Sequence, residues 1–334
     1  QSSPILSRFA NISLSDKTTR SRFMIWDMAW QGFKERPVLG WGQENYPHVF
    51  AKYYNAKLFD QEPYFDRAHN IVFDWMINAG VLGTLSYLAL FAAAFSLLWK
   101  LKKQGTLSFF EATILALTLL AYFVQNLLVF DNYTTYFLFF SVLAYLHALS
   151  QKTTKEGVSR PSRMAVPPLV ATGAMLAVMI APFYLGNIRP ILASRMLIQA
   201  LQSLGKADVT PESLRISFEK ALAYDSFGTP EINEQLANVA VQISRVENLP
   251  VQEKSEFVKF TLASLESRVK EHPSDLRTRL MLGSLYTRLA PLNQDYLQKG
   301  EDHIRTAITL SPNRQSTYFI LADNLISQDD SEGA

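Results

Sequence analysis

The sequence has 334 residues and a formal net charge of +2, with 48% hydrophobic and 19% charged residues. Near-neutral charge gives no basic field for nucleic acid, and the absence of cysteine excludes disulfides, thiolate nucleophiles and cysteine zinc sites. Because the chain begins at Gln1 and shows no signal or transit pattern, we expect it to be part of a longer protein.

Residues 1–70 read as a loop region that contains an aromatic helix and a turn. Aromatic residues recur at helical spacing, at Phe23, Trp26, Trp30 and Phe33. This pattern predicts a helix lying in the membrane interface or, alternatively, a core-facing helix of a soluble loop domain. Residues 37–42 (Pro-Val-Leu-Gly-Trp-Gly) predict a turn, since proline ends the helix and the two glycines permit positive φ.

Four segments have the length and composition of membrane spans. They cover residues 71–101, 107–130, 133–149 and 166–188. The first segment is longer than a bilayer requires and begins with polar residues and glycines, at Asp74, Asn78, Gly80 and Gly83. We therefore expect its first two turns to face protein or water.

Positive charge in the connections predicts the orientation of these spans. Basic residues lie between the first and second spans (Lys100, Lys102, Lys103) and between the third and fourth (Lys152, Lys155, Arg160, Arg163), whereas the turn at Asp131 and Asn132 has none. The positive-inside rule places both basic connections in the cytoplasm. The loop 1–70, the turn at Asp131 and residues 189–334 are then on the outer side.

Residues 189–334 predict an outer domain of tetratricopeptide-like helical repeats. Large, small and aromatic residues at Leu282, Gly283 and Tyr286 are followed by Ala307 and Pro312 in the order of that repeat. A helical bundle without repeats is the alternative. Repeat arrays present concave surfaces to partners, and nothing in this region suggests catalysis.

One histidine stands out as a candidate catalytic group. His69 directly precedes the first span, and Asn70 is a suitable N-cap for that helix. A helix N-terminus favours a nearby anion and disfavours protonation of the imidazole, so His69 would be a neutral base near pH 7. The alternative is a histidine that only bonds loop carbonyls.

Arginines in the same loop could bind phosphate groups. They are Arg20, Arg22, Arg36 and Arg67, and guanidinium groups bind phosphate bidentately, although arginines near bilayers also snorkel to lipid phosphates. No Asp-x-Asp occurs in the loop, and no Walker, dinucleotide or His-Glu-x-x-His pattern occurs in the chain. We therefore expect no metal and no cofactor, and chemistry at a lipid-linked phosphate.

The order of these features resembles the family of O-antigen ligases and polymerases, which are bacterial membrane glycosyltransferases. The resemblance covers about residues 19–88. It rests on Arg22-Phe-Met-Ile-Trp26, on residues 37–42 with Asn45, on His69-Asn70, and on Gly80 and Gly83 at the head of a span.

The resemblance implies an all-α, polytopic helical membrane protein similar to the GT-C class in the bacterial inner membrane. Such enzymes transfer a glycan from an undecaprenyl diphosphate carrier to an acceptor hydroxyl without a metal. By motif, Arg22 would bind the diphosphate and His69 would activate the acceptor. Arg67 is a second diphosphate candidate by proximity, and Asp74 would either orient His69 or, as we favour, cap the helix.

Several alternatives remain open from the sequence. The acceptor could be a lipid core, the growing glycan or a protein, and the repeat domain could hold a protein acceptor or an assembly partner. Since the family also uses an arginine from an earlier part of the chain, we expect residues 1–334 alone to be inactive.

The rival function is a non-catalytic membrane scaffold carrying an exported repeat domain. A transporter is less favoured because the spans offer little ion-coupling charge, with only Asp74 and Glu111.

Overall fold

A computed structural model describes residues 17–60, 64–154, 168–204 and 209–329, which contain helices and no strand. The chain divides into two compact units, Gln1–Pro161 and Ser162–Ala334. The helices of the first unit are α1 (Lys17–Glu35), α2 (Tyr46–Lys52), α3 (Ile71–Lys103), α4 (Phe109–Asn126) and α5 (Tyr133–Thr154), with a 3₁₀ turn at Ala56–Leu58.

Helix α1 packs one face into the core of the loop region. Its fully buried side chains are Ile25, Met28 and Ala29, whereas Phe23 and Trp30 are about half exposed. The aromatic spacing thus marks a helix whose aliphatic residues, rather than its aromatic ones, supply most of the buried face.

Three helices in the described residues are long and apolar enough to cross a membrane, Ile71–Lys103, Phe109–Asn126 and Thr172–Ser203. The sequence predicted four spans, and the segment 133–149 is not among these three although it forms most of α5. Hydroxyl and imidazole side chains lower its hydropathy, at Tyr133, Thr134, Thr135, Tyr136, Ser141, Tyr145 and His147. Helix α5 nevertheless packs on α3, where Phe139 stacks on Phe91 with ring centroids 5.1 Å apart.

The first predicted span is not one straight helix, because α3 breaks sharply at Gly80. The backbone there has φ 62° and ψ −159°, which is not helical. The rings of Trp75 and Tyr87 stack at 5.2 Å, although twelve residues of straight helix would separate them by about 18 Å. Residues 71–79 and 81–103 therefore form two helical segments that meet at an angle.

The turn at residues 37–42 packs against this break. Gly40 and Gly42 have φ of 70° and 93°, which confirms the predicted positive φ. Trp41 donates its backbone N–H to the carbonyl of Ile77 at 2.6 Å, and Val81 donates to the carbonyl of Pro37 at 2.8 Å. The turn thus provides partners for backbone groups that the broken helix leaves without intrahelical bonds.

The second unit is a succession of helices. They are α6 (Pro168–Phe183), a π-helical turn (Tyr184–Ile188), α7 (Arg189–Ser203), α8 (Pro211–Leu222), α9 (Thr229–Arg245), α10 (Val251–Glu271), α11 (Leu276–Leu289), a 3₁₀ turn (Ala290–Leu292), α12 (Asp295–Leu310) and α13 (Gln315–Ser327). The predicted fourth span ends at residue 188, but the helical path continues without interruption to Ser203.

Helices α11 and α12 approach closely through glycines. A Cβ at Gly283 would lie 2.7 Å from Cγ1 of Ile304 and 3.2 Å from the carbonyl oxygen of Gly300. Asn324 of α13 donates to the hydroxyl of Thr287 at 2.7 Å and so joins the third helix to this pair.

Part of the predicted basic connection before the fourth span lies outside the described residues. Of the basic residues predicted to precede the fourth span, Lys155, Arg160 and Arg163 lie outside the described residues, as does the start of that span.

Candidate functional site

His69 lies in a short left-handed bend just before α3. Its φ is 52°, which is uncommon for a residue other than glycine. The half-buried imidazole contacts the rings of Phe65 and Phe130 edge-on, with centroids 5.7 and 5.2 Å away. Two aromatic rings thus restrict the orientation of the imidazole.

Asn70 caps α3, as the sequence predicted. Its side-chain oxygen accepts from the backbone N–H groups of Val72 and Phe73 at 3.0 and 3.4 Å. Its amide nitrogen also donates to the carbonyl of Leu127, just beyond α4, at 3.0 Å. One buried side chain therefore fixes the start of α3 and ties it to the end of α4.

Asp74 holds the backbone on the other side of His69. One carboxylate oxygen accepts from the N–H of Ala68 at 2.8 Å, and the other has no hydrogen-bond partner among the described residues. The carboxylate is buried beside Tyr46, whose hydroxyl donates to the carbonyl of Ile25. Burial, and secondarily the charge of Asp74, raise the pKa of Tyr46, so this phenol is a neutral donor. Asp74 therefore bonds the loop backbone ahead of the helix, whereas Asn70 caps the helix's own first N–H groups.

Trp26 brings α1 to the same place. Its indole N–H donates to the carbonyl of Ala68 at 2.9 Å, and its ring stacks on Phe73 at 5.9 Å. Arg22 lies one helical turn before Trp26 and therefore on the same side of α1. Arg22 is half-buried as a residue, and its guanidinium makes no hydrogen bond or ion pair within the described part of the chain.

Arg67 is engaged by two neighbours. Its guanidinium pairs with the carboxylate of Glu44 at 2.6 Å and lies over the ring of Phe130 at 5.4 Å. Glu44 is itself at positive φ, 62°. Arg67, which the sequence offered as a second diphosphate candidate, is thus paired with a carboxylate of the same chain.

The other two loop arginines, Arg36 and Arg20, are not held near His69 by any contact in the described residues. Arg36 covers the ring of Trp41 at 4.3 Å, and Arg20 is exposed on α1. No group of three His, Asp or Glu side chains in the described residues could hold a metal ion.

Sequence reasoning missed the contribution of the connection between α4 and α5. Phe130 touches both His69 and Arg67, and the next residue, Asp131, accepts from Tyr122 at 2.5 Å and from Asn126 at 2.8 Å. The absence of basic residues in this connection gave an expectation for its side of the membrane but no information on its contacts.

Fold and site together define a class. This is an all-helical membrane protein in which a loop region packs against a broken membrane-spanning helix, and a histidine and two arginines lie on elements that converge at the N-terminus of that helix.

Comparison with known proteins finds a similarity to one family over part of the chain. Residues 3–88, roughly a quarter of the chain, match the sequence model of a family described as O-antigen ligase. No curated protein and no solved structure matches the chain. The family match spans α1, the 37–42 turn, His69 and the break at Gly80, and it supports glycan transfer of the O-antigen ligase type in general.

Proposed function

We propose that this chain forms part of a transferase that moves a glycan from an undecaprenyl diphosphate carrier to an acceptor hydroxyl at the outer face of the bacterial inner membrane. His69 is the base that removes the proton of the acceptor hydroxyl as its oxygen attacks the sugar. Arg22 binds the departing diphosphate and neutralises its charge, and Arg67 is the second diphosphate-binding residue once it exchanges Glu44 for the phosphate. The diphosphate leaves without needing a proton, so the enzyme chiefly needs a base at the acceptor hydroxyl and positive charge at the departing group.

One observation carries this proposal. The bond from Trp26 to the carbonyl of Ala68 joins the helix of Arg22 to the residues on either side of that carbonyl, Arg67 and His69. Asn70 and Asp74 then fix the backbone around His69, which is the positioning that a base requires.

The charge pattern supports the outer location. The last turn of α3, at the opposite end of the helix from His69, contains Lys100, Lys102 and Lys103. The connection at Asp131 has no lysine or arginine. With α5 as a further span packed on α3, the loop region and residues 189–334 are both on the outer side. Residues 1–334 contain no cysteine, so single cysteines placed in them and an impermeant maleimide test each assignment once any cysteine elsewhere in the full-length protein is replaced.

The second unit would act as a tetratricopeptide-like scaffold. Close packing of α11 on α12 at Gly283 and Gly300 supports a stacked-hairpin arrangement of this kind. Such a surface suits a protein acceptor or an assembly partner, and lipid core, growing glycan and protein all remain candidate acceptors.

The test is glycan transfer in cells that lack the gene and are complemented with the full-length protein or a variant. We expect His69→Ala to lower transfer by about 10²–10⁴-fold, the usual contribution of a general base. His48→Ala is the matched control, since His48 lies in the same loop region on α2.

The arginines allow a second comparison. Arg22→Ala should abolish most transfer, and Arg22→Lys should restore little, because lysine keeps the charge but not the bidentate geometry. Arg20→Ala, on an exposed position of the same helix, should have no effect.

Normal transfer by His69→Ala at equal membrane abundance would refute the base role. Restoration of transfer by the spans and second unit alone would favour the scaffold function instead.

A further inference from the structure

The tip of the turn between α1 and α2 exposes apolar side chains. We call residues 37–39 the 37–39 tip. Val38 is 56% exposed and Leu39 is 72% exposed. Two adjacent aliphatic side chains point outward on a tight turn. Removing their apolar surface from water would be favourable in free energy.

The 37–39 tip is attached to one end of a membrane-spanning segment. The carbonyls of Pro37 and Val38 accept from the N–H groups of Val81 and Leu82 at 2.8 and 3.5 Å. Val81 is the first residue of the helical segment that follows the break at Gly80.

The length of that segment locates the tip relative to a bilayer. Residues 81–103 extend about 34 Å at 1.5 Å per residue, close to the ~30 Å of a hydrocarbon core. The lysines at 100, 102 and 103 mark one interface, so Val81 and the 37–39 tip lie at the opposite boundary of that core.

The surroundings of the tip have the composition of a membrane interface. Leu82 and Leu85 are exposed on the adjoining helix, and Trp30 stacks on Phe33 in the last turns of α1, with ring centroids 5.4 Å apart. Lys34 follows in the last turn of α1. Aromatic rings next to aliphatic side chains, with a cation nearby, are typical of protein at the level of the headgroups.

Part of the backbone of the turn has hydrogen-bond partners within the protein. Pro37 has no N–H, and the N–H groups of Gly40 and Trp41 donate to the carbonyls of Arg36 and Ile77 at 3.0 and 2.6 Å. The N–H groups of Val38 and Leu39 make no hydrogen bond within the described part of the chain, so the tip enters only the part of the acyl-chain region that borders on headgroups and water.

We propose that the 37–39 tip inserts into the acyl-chain region of the leaflet at this end of the span and anchors the loop region to lipid. The occupant around Val38 and Leu39 is phospholipid acyl chain, because their apolar surface is continuous with the exposed aliphatic side chains of the span itself. This anchoring does not depend on glycan transfer.

The test uses single cysteines in the full-length protein, after replacement of any cysteine outside residues 1–334. Leu39→Cys and, as a matched control, Lys57→Cys are labelled with an environment-sensitive nitrobenzoxadiazole dye, and the full-length protein is reconstituted into phosphatidylcholine and phosphatidylglycerol vesicles. Lys57 lies on the exposed 3₁₀ turn of the same loop region. Quenching is measured with nitroxide on the acyl chain and with aqueous iodide.

We expect the dye at position 39 to emit at shorter wavelength and to be quenched several-fold more by the acyl-chain nitroxide than the dye at position 57, which iodide should quench instead. Iodide quenching at position 39 equal to that at 57 would overturn the proposal. Protection of position 39 from both quenchers would also overturn it, because protein rather than lipid would then cover the tip.

Discussion

Replacing Gly80 with alanine is the most direct test of the broken helix. The backbone at Gly80 has φ 62° and ψ −159°, a region that side-chain-bearing residues almost never occupy. A Cβ there would also overlap the carbonyl group of Val38. Alanine therefore cannot be accommodated unless the 37–42 turn moves away from α3.

The expected cost follows from these two effects. Backbone strain of this kind costs about 1–3 kcal/mol. Moving the turn loses the bonds from Trp41 to Ile77 and from Val81 to Pro37, which contribute about 1 kcal/mol each. We expect Gly80→Ala to destabilise the protein by about 3–5 kcal/mol in total.

A matched glycine separates the two effects. Gly105 has φ 72°, and nothing lies within 4 Å of a Cβ built on it. Gly105→Ala should therefore cost only the left-handed conformation, about 1–2 kcal/mol. The difference between the two variants reports the contact between the turn and the helix together with the more restricted backbone region at Gly80.

Thermal unfolding in detergent, followed by tryptophan fluorescence, provides the assay. Tryptophan fluorescence reports on this region because Trp41 and Trp75 both lie beside the break. Gly80→Ala should lower the midpoint clearly more than Gly105→Ala, since it is the more destabilising change. Equal midpoints for the two variants would refute the close approach of the turn to α3, and with it the two-segment form of this helix.

Three further results are expected. Glu44→Gln should lower the KM for the lipid-linked donor, since it removes the anionic partner of Arg67; an unchanged KM would argue against diphosphate binding there. Gly283→Ala should lower the melting temperature of the second unit, because its Cβ would lie 2.7 Å from Ile304, and retention of the wild-type melting profile would contradict this packing. Burial lowers the pKa of His303 below 6.5, so the unfolded chain takes up a proton that the folded chain resists as the pH falls through about 6.5. The free energy of unfolding should therefore fall on acidification, and it should fall less in His303→Gln. Unfolding measured above and below pH 6.5 checks this.

Local patterns in the sequence predicted much of the loop region. The positive φ of Gly40 and Gly42 and the N-cap at Asn70 follow from short-range chemistry, because turns and helix caps involve neighbours within a few residues. The apolar character of α3 and α4 likewise follows from composition over one segment.

The break in α3 was hidden from such patterns. Gly80 and Gly83 marked an unusual start to a span but did not reveal a break, because a helix tolerates isolated glycines. The break exists because the 37–42 turn occupies the space where a Cβ would lie and bonds the exposed backbone.

The sequence by itself determined the helical class, the apolar segments, the capping of α3 and the histidine and arginines as candidates, since each depends on residue type and local spacing. Only the tertiary structure decided which of them meet. Trp26 reaches Ala68 across 42 residues and Asn70 reaches Leu127 across 57. Contacts of this range depend on how buried faces pack, and the spacing of residues along one segment carries no record of the partner segment.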